Sequence, residues 1–126
     1  MSGERAEWTI SDAEWDVLEA LWDGGPSTAR GVAESLESSR GWAYSTVKTM
    51  LDRMVEKGLV GARQVGNVWE YTALVNAETA RRSAWRRFVE AAFGGASASA
   101  LQFVLSEARL SRKQREELLN LLKDKE

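Results

Sequence analysis

The chain has 126 residues, of which 44% are hydrophobic and 29% charged, as expected for a globular protein with one compact domain or a small domain plus an appendage. It contains neither cysteine nor histidine, which excludes disulfides, thiolate metal sites and the commonest general base. We therefore expect no enzyme, no metal and no cofactor. The sequence has no run of about 20 apolar residues and no apolar leader, so we expect a cytoplasmic location without membrane insertion.

The formal net charge of −2 is unevenly distributed. Residues 1–37 carry two basic and nine acidic residues, a balance of −7; residues 38–75 carry five and three, a balance of +2; residues 76–126 carry ten and seven, a balance of +3. DNA binding depends on basic surface that contacts phosphates. A DNA-binding role therefore requires the acidic first third to face away from the duplex.

The first predicted helix has clear boundary signals. Ser11 is a good N-cap and Glu14 completes a capping box, while Ile10 and Trp15 have the spacing of a hydrophobic staple. The sequence Gly-Gly-Pro at 24–26 ends this helix. We expect its tryptophans, Trp15 and Trp22, to pack in the core.

Two more helices and a hairpin follow. The second helix should run from a cap at Ser27 or Thr28 to about Ser38, and the third from about Ala43 to Gly58. Residues 59–65 and 68–74 are extended, with Gly66-Asn67 as a two-residue turn. A helix, a helix-turn-helix pair and a hairpin in this order predict a winged-helix domain over residues 1–75.

The remaining segment, residues 76–126, is predicted to be helical. Gly94-Gly95 ends one helix, Ser97-Ala98-Ser99 opens another, and Ser111 with Gln114 predicts a second capping box. A segment this small buries too little apolar surface to be stable alone. Its apolar stripes must pack either on the N-terminal domain or on a second subunit, and we favour a two-fold homodimer. The predicted interface consists of Trp85, Phe88, Val89, Phe93, Leu101, Val104, Leu105, Leu118 and Leu122.

The third helix is the predicted recognition helix. Its apolar face is centred on Val47 and Leu51, which leaves hydroxyl and basic side chains on the opposite face. Such side chains suit phosphate oxygens and base edges, although a merely solvated helix face is the alternative. The predicted DNA-binding residues are Ser45, Thr46, Lys48, Thr49 and Arg53, with Tyr44, Arg40 and Arg63 beside them.

The order and spacing of these segments resemble the penicillinase-repressor family of bacterial transcriptional repressors, the BlaI and MecI group with its copper-responsive cousins. The matching segments are residues 10–18 with Leu21-Trp22, residues 42–54, Lys-Gly-Leu at 57–59, the wing ending in Tyr71, Leu-Ser at 110–111 and Glu-Glu-Leu at 116–118. The sequence departs from the family's pattern at several positions, two of which affect the third helix and the wing. Ala43 replaces a capping serine, so we expect the third helix to fray or to start one residue later. The hairpin tip lacks an arginine, which leaves Arg63 and Gln64 as wing contacts.

The resemblance implies a mainly α fold with a small β-wing: an N-terminal winged helix-turn-helix plus a C-terminal helical dimerisation domain. It further implies a repressor that binds a dyad-symmetric operator in promoters of resistance or stress genes. In one branch, a membrane-bound sensor protease triggers cleavage of the dimerisation domain, at a position that corresponds here to Gln102-Phe103. Release through a cysteine-rich metal site, as in the copper-responsive branch, is excluded because this chain has no cysteine.

One alternative function stays open from the sequence. A winged-helix protein can serve only for protein–protein assembly, and the acidic first third would then be its docking surface. Specific binding to a palindromic promoter fragment separates this alternative from a repressor.

Overall fold

The computed structural model describes residues 8–124, and it is mainly helical with one small antiparallel sheet. In chain order the elements of this part of the chain are α1 (Asp12–Gly24), β1 (Ser27–Thr28), α2 (Ala29–Ser35), α3 (Tyr44–Glu56), β2 (Val60–Val65), β3 (Val68–Ala73), α4 (Ala77–Phe93), α5 (Ser97–Glu107) and α6 (Arg112–Asp124). The predicted mainly α fold with a β-wing is confirmed.

The start of α1 matches its prediction. The Glu14 backbone N–H donates to the Ser11 hydroxyl oxygen at 3.2 Å, and the Ser11 backbone N–H donates to the Glu14 carboxylate at 3.0 Å. This reciprocal pair satisfies two of the N–H groups that a helix start leaves unpaired. Ile10 and Trp15 both pack against the core.

The second helix is shorter than predicted. The Thr28 hydroxyl oxygen accepts from the Gly31 N–H at 3.0 Å, so Thr28 is the N-cap. The helix ends at Ser35 rather than Ser38 because the chain turns at Leu36, whose carbonyl accepts from the Arg40 N–H at 2.8 Å.

The sheet contains one strand that the sequence pattern did not predict. Its order is β1-β3-β2, with both pairings antiparallel. The hairpin closes between Val65 and Val68, and Gly66 has a φ of 63°, whereas Asn67 has no positive φ. Strand β1 has only two residues, which pair with Tyr71 and Glu70 on the outer side of β3.

The core of this fold lies between α1, α2, α3 and the sheet. Trp15 and Trp22 pack edge to face with ring centroids 6.1 Å apart, and the Trp22 indole N–H donates to the Val75 carbonyl at 2.9 Å. The tryptophans therefore pack around the core, as predicted. The largest fully buried side chains among the described residues are Val17, Leu18, Val32, Val47, Leu51, Met54, Leu59, Val60 and Tyr71.

The chain separates into two compact units between Arg87 and Phe88, which lies inside α4. The functional division at residues 75 and 76 stays a prediction. Gly94 and Gly95 end α4 with φ values of 58° and 89°. In the second unit, α6 begins with the predicted capping box, in which Ser111 and Gln114 exchange two hydrogen bonds of 3.0 and 3.1 Å.

Among the described residues, no single helix is long and apolar enough to cross a bilayer, and only the bent pair α4 and α5 meets the length and composition requirement together.

Candidate nucleic-acid interface

Helix α3 presents two chemically different faces. Val47, Leu51 and Met54 are fully buried against the core. The opposite side exposes the predicted recognition residues Tyr44, Ser45, Thr46, Thr49 and Arg53, while Lys48 is half-buried. The structure thus gathers the predicted side chains of this helix on one accessible surface; their contact with DNA stays a prediction.

The start of α3 lacks a side-chain cap, as its sequence predicted. The helix begins at Tyr44, with Ala43 at the N-cap and no side-chain hydrogen bond there. The first backbone N–H groups of the helix therefore have no capping acceptor. Such groups favour anions, and phosphate is the anion that a DNA duplex offers.

A groove separates the start of α1 from the exposed face of α3. Its volume is about 440 Å³. Arg53 lines it, and within residues 8–124 its guanidinium has no hydrogen-bond or ion-pair partner. The full lining is Ser11, Ala13, Glu14, Ser45, Thr46, Thr49, Met50 and Arg53.

A second groove, of about 310 Å³, lies between the start of α2, the start of α3 and the hairpin. Arg30 projects over the Tyr44 ring, with its guanidinium carbon 5.3 Å from the ring centroid. Trp69 lies on the same groove and is 47% exposed. The full lining is Thr28, Ala29, Arg30, Tyr44, Lys48, Asn67, Val68, Trp69 and Tyr71.

Sequence reasoning missed Arg30 and Trp69 as interface candidates. Arg30 belongs to the acidic first third, which was expected to face away from DNA. The pairing of β1 with β3 brings the start of α2 beside α3 and the hairpin, so this third is not uniformly remote from the candidate interface. The sequence feature that could have identified Arg30 as an interface candidate is its isolated positive charge, two residues after the Thr28 cap.

Lys48 belongs to a three-residue polar cluster. Its ammonium donates to one Asp52 carboxylate oxygen at 2.8 Å, and the Tyr71 hydroxyl donates to the other oxygen at 3.0 Å. The hydrogen bond to Asp52 raises the pKa of Lys48 well above its ordinary value. Burial, reinforced by Asp52, raises the pKa of the Tyr71 hydroxyl. Lys48 and Tyr71 therefore both stay protonated at neutral pH.

The two predicted phosphate contacts outside α3 are also ion-paired. The Arg40 guanidinium donates to Asp16 of α1 and lies 5.0 Å above the Trp42 ring. Arg63 pairs with Glu70, its cross-strand partner in the hairpin, at 3.1 Å. Both arginines are exposed, so each could move from its carboxylate to a phosphate.

The hairpin tip is apolar rather than basic. Val65 and Val68 are 45% and 51% exposed beside the Gly66-Asn67 turn. With Trp69, they give the wing an apolar surface of a kind that can contact sugars or base edges in the minor groove.

The predicted subunit interface is largely exposed in the single chain. Leu101, Val104 and Leu105 are about two-fifths exposed, and Leu122 is 49% exposed. Val89 differs, because it is 4% exposed and so adds little surface to a subunit contact. Of the other predicted interface residues, Trp85 and Phe88 are exposed and Phe93 and Leu118 are half-buried; Phe103, Leu119 and Leu121 are further exposed apolar residues that were not predicted.

The predicted cleavage position lies on α5. Gln102 and Phe103 are both exposed. The Phe103 ring lies 5.7 Å from that of Phe93, which in turn lies 5.6 Å from Phe88. This aromatic row joins the end of α4 to α5.

The two grooves can be compared by the chemistry of their linings. Over residues 8–124, no three carboxylates come together in a way that could hold a metal ion. The first lining combines hydroxyls with Arg53 and the Glu14 carboxylate, and the second combines hydroxyls, cations and aromatic rings. Such surfaces suit an extended polyanion, since phosphate contacts use these groups.

Comparison with known proteins agrees with this geometry. The family model described as penicillinase repressor matches residues 10–124. The methicillin resistance regulatory protein MecI of Mammaliicoccus sciuri is 29% identical over 100 residues, which cover 79% of this chain and 80% of that protein. MecI of Staphylococcus aureus strain N315 is 28% identical over the same shares.

Solved structures show the same N-terminal fold. The solution structure of the DNA-binding domain of the repressor BlaI has a TM-score of 0.51 at 30% identity, covering 56% of this chain and 87% of that one. The monomeric form of Bacillus licheniformis BlaI, in complex with the blaP half-operator, has a TM-score of 0.51 at 28% identity over 59% and 90%. A MarR family protein from Bacillus stearothermophilus, at 16% identity and a TM-score of 0.52, covers 93% and 73% and shares the fold.

Proposed function

The chain belongs to the penicillinase repressor family, and we propose that it represses transcription by binding a dyad-symmetric DNA operator as a homodimer. The family makes it a DNA-binding repressor and not an enzyme. The dyad operator, the homodimer, the regulated genes and the release mechanism are the parts that we propose.

The observation that carries this proposal is the exposed face of α3. In helix-turn-helix proteins, the N-terminal residues of the second helix reach base edges in the major groove. Ser45, Thr46 and Thr49 occupy that end, and their hydroxyls can pair with bases or phosphates. The threonine methyls can contact thymine methyls. Lys48 and Arg53 are long enough to reach phosphate or guanine.

The supporting contacts surround this helix. Arg40 and Arg63 are proposed to bind phosphates on either side, and Tyr44 with Arg30 to contact the backbone beside the wing. The structural relative that was solved with a half-operator is described as a monomeric form. We propose likewise that each DNA-binding domain binds one half-site, and that the two subunits together bind the dyad.

The experiment uses the full chain with Thr49→Ala and Arg53→Ala on a palindromic promoter fragment in a mobility-shift assay. Each substitution should weaken operator binding by roughly 1–3 kcal/mol if the side chain contacts a base. Loss of a phosphate contact should instead weaken binding to all sequences and reduce the salt slope by about 1.

Arg81→Ala is the control for Arg53→Ala. It removes the same exposed side chain type from α4, where Arg81 lies 3.9 Å from Glu19, and it should leave operator binding unchanged. Operator binding that is unaffected by both test substitutions, in folded protein, would contradict the proposed recognition surface.

The proposed homodimer rests on the second unit. Among its described residues, only Val89 and Ala100 are buried, although α5 and α6 carry many leucines. Exposed apolar faces of this kind are usually covered, and a two-fold copy is the commonest cover in soluble oligomers.

Resistance or stress genes are the proposed targets, because the MecI relatives are methicillin resistance regulatory proteins. Proteolysis in the second unit is the proposed release step, through a partner that would be a membrane-bound sensor protease. Cleavage between Gln102 and Phe103 would remove α6 and half of α5 from the proposed interface. Since proteases bind extended substrates, α5 would have to unwind locally first.

The assembly-only alternative has a clear discriminating outcome. A chain that gave no shift on any palindromic promoter fragment, yet was captured by a protein through the acidic α1, would support it. The exposed hydroxyl face of α3 has no role in that alternative.

A further inference from the structure

We propose that three carboxylates, Asp16, Asp52 and Glu70, restrain sequence-independent DNA binding by holding the interface cations in intramolecular ion pairs. This inference rests on the proposed DNA-binding function and assigns a role to acidic residues that the recognition of bases does not use. The restraint would apply to any DNA duplex, because it acts on phosphate contacts.

The basis is the pairing of the cations in residues 38–75. This segment contains five basic residues, and four of them are ion-paired within the described chain. Arg53 is the exception. The pairs of the proposed interface are Arg40 with Asp16, Lys48 with Asp52, and Arg63 with Glu70.

The fourth pair has a structural role and is set apart. The Lys57 ammonium donates to Glu14 at 2.7 Å and also to the Thr9 carbonyl at 2.6 Å. Glu14 is 12% exposed and caps α1. This pair ties the end of α3 to the start of α1, so its removal would test folding rather than DNA binding.

Asp52 shows most clearly how a carboxylate is held in place. Tyr71 is 1% exposed in β3, and its hydroxyl binds one Asp52 oxygen from inside the fold. The other oxygen accepts from Lys48, one helical turn earlier on α3. A buried donor therefore fixes the carboxylate beside the lysine, and Lys48 must leave Asp52 before it can bind a phosphate.

An interface cation can exchange its carboxylate for a DNA phosphate, but this exchange costs free energy. Exposed ion pairs stabilise a fold only weakly, so an aligned phosphate can displace the carboxylate. The carboxylate stays near the duplex after the exchange and repels it. Sequence-independent binding consists almost entirely of phosphate contacts, so each retained pair removes one contact from it.

The test compares Asp16→Asn, Asp52→Asn and Glu70→Gln in the full chain. The amides keep the shape of each side chain, and the amide oxygen introduced by Asp52→Asn can still accept from the Tyr71 hydroxyl. Asp23→Asn and Glu34→Gln are the matched controls. They remove the same charge from exposed carboxylates that have no ion-pair partner within residues 8–124.

Binding is measured by fluorescence anisotropy on an unrelated duplex and on the operator between 50 and 200 mM salt. Each freed cation should steepen the slope of log K against log salt by about 0.9, or about 1.8 when two subunits carry the substitution. Affinity for the unrelated duplex should rise roughly 5- to 10-fold per freed cation near 0.1 M salt, the factor that this slope implies. The controls should keep the wild-type slope, because neither carboxylate is paired with a cation of the proposed interface.

Three outcomes would overturn the inference. Test variants with the slopes of the controls, on protein that binds the operator and unfolds at the wild-type temperature, would refute it while leaving the proposed function intact. Weaker operator binding with unchanged non-specific binding would mean that the carboxylates position the cations for recognition. Wild-type protein that binds no DNA would refute the proposed function and this inference together.

Discussion

At the residue scale, Tyr71 couples the wing to the recognition helix through one hydrogen bond. Its hydroxyl donates from β3 to Asp52 on α3, and its ring is almost fully buried. The Lys48 ammonium lies 5.9 Å from the centroid of the same ring. A single tyrosine thus contacts both members of one ion pair of the proposed interface.

Tyr71→Phe should lower the free energy of unfolding by about 1–2 kcal/mol at neutral pH, because it removes a hydrogen bond to a charged group but keeps the packing. Burial raises the pKa of Tyr71 above 10, so the folded state holds the proton more tightly than the unfolded chain. The stabilisation from the protonated Tyr71 hydroxyl is present below about pH 10, and it is lost as the pH rises through the pKa of Tyr71 in the folded state. Thermal unfolding from pH 8 to 11 should therefore show a steeper loss in wild type than in Tyr71→Phe.

Tyr44→Phe is the matched control for this measurement. Tyr44 is 46% exposed, and its ring contacts Arg30 rather than a carboxylate. Its unfolding temperature should follow wild type across the range. Equal alkaline losses in wild type and Tyr71→Phe would show that the buried hydroxyl contributes nothing to pH dependence.

At the element scale, α1 and α6 begin with the same motif but different chemistry. Both helices pair a serine N-cap with a side chain three residues later. Glu14 of α1 is titratable and contacts Lys57, whereas Gln114 of α6 is neutral. The chain therefore contains one charged and one uncharged capping box.

Glu14→Gln should separate the cap from the charge, because glutamine also completes a capping box. Burial opposes ionisation of Glu14, but Lys57 and the Ser11 hydrogen bonds outweigh it and lower the pKa of Glu14 below 4.5. The carboxylate stabilises the fold above that pH and loses its contribution as the pH falls through the folded pKa. Glu14→Gln should cost about 1 kcal/mol at pH 7, and the penalty should shrink as the pH falls toward 3, measured by urea unfolding.

Glu34→Gln is the control on α2, where the exposed carboxylate has no ion-pair partner in the described residues, and it should match wild type at both pH values. A Glu14→Gln penalty of the same size at pH 3 and pH 7 would mean that packing, not the ion pair, explains the effect.

The elements differ in how far they could be predicted. The caps at Ser11 and Ser111 follow from residues within one helical turn, so the sequence predicts them correctly. Strand β1 could not be predicted, because its two residues become a strand only by pairing with Tyr71 and Glu70, more than forty positions away. The place of Arg30 over Tyr44 depends on how α2 packs on α3, which is a tertiary contact that the local sequence pattern does not specify.

At the scale of the whole molecule, the net charge of −2 fits a binder that depends on two copies. Arg53 is the one cation of residues 38–75 that has no ion-pair partner within residues 8–124. One subunit therefore offers few phosphate contacts. Linking two weak half-site contacts can raise affinity by about 10²–10⁴ without any new contact, which is the gain a dimer would supply.

The double variant Leu101→Gln/Leu105→Gln tests this dependence. Both leucines are exposed on α5 one turn apart, and polar substitution should turn a dimer into a monomer in sedimentation velocity. Wild type should then prefer a DNA with two half-sites over one half-site by a factor of about 10²–10⁴, whereas the variant should show little preference.

Half-sites on one face of the duplex lie about 10–10.5 base pairs, or a multiple, apart, so inserting five base pairs should abolish the wild-type preference. Ser99→Gln/Ser106→Gln, at two exposed positions on another face of α5, should remain dimeric and keep the preference. If the leucine variant stayed dimeric and still preferred the two-site DNA, α5 would not be part of the subunit interface.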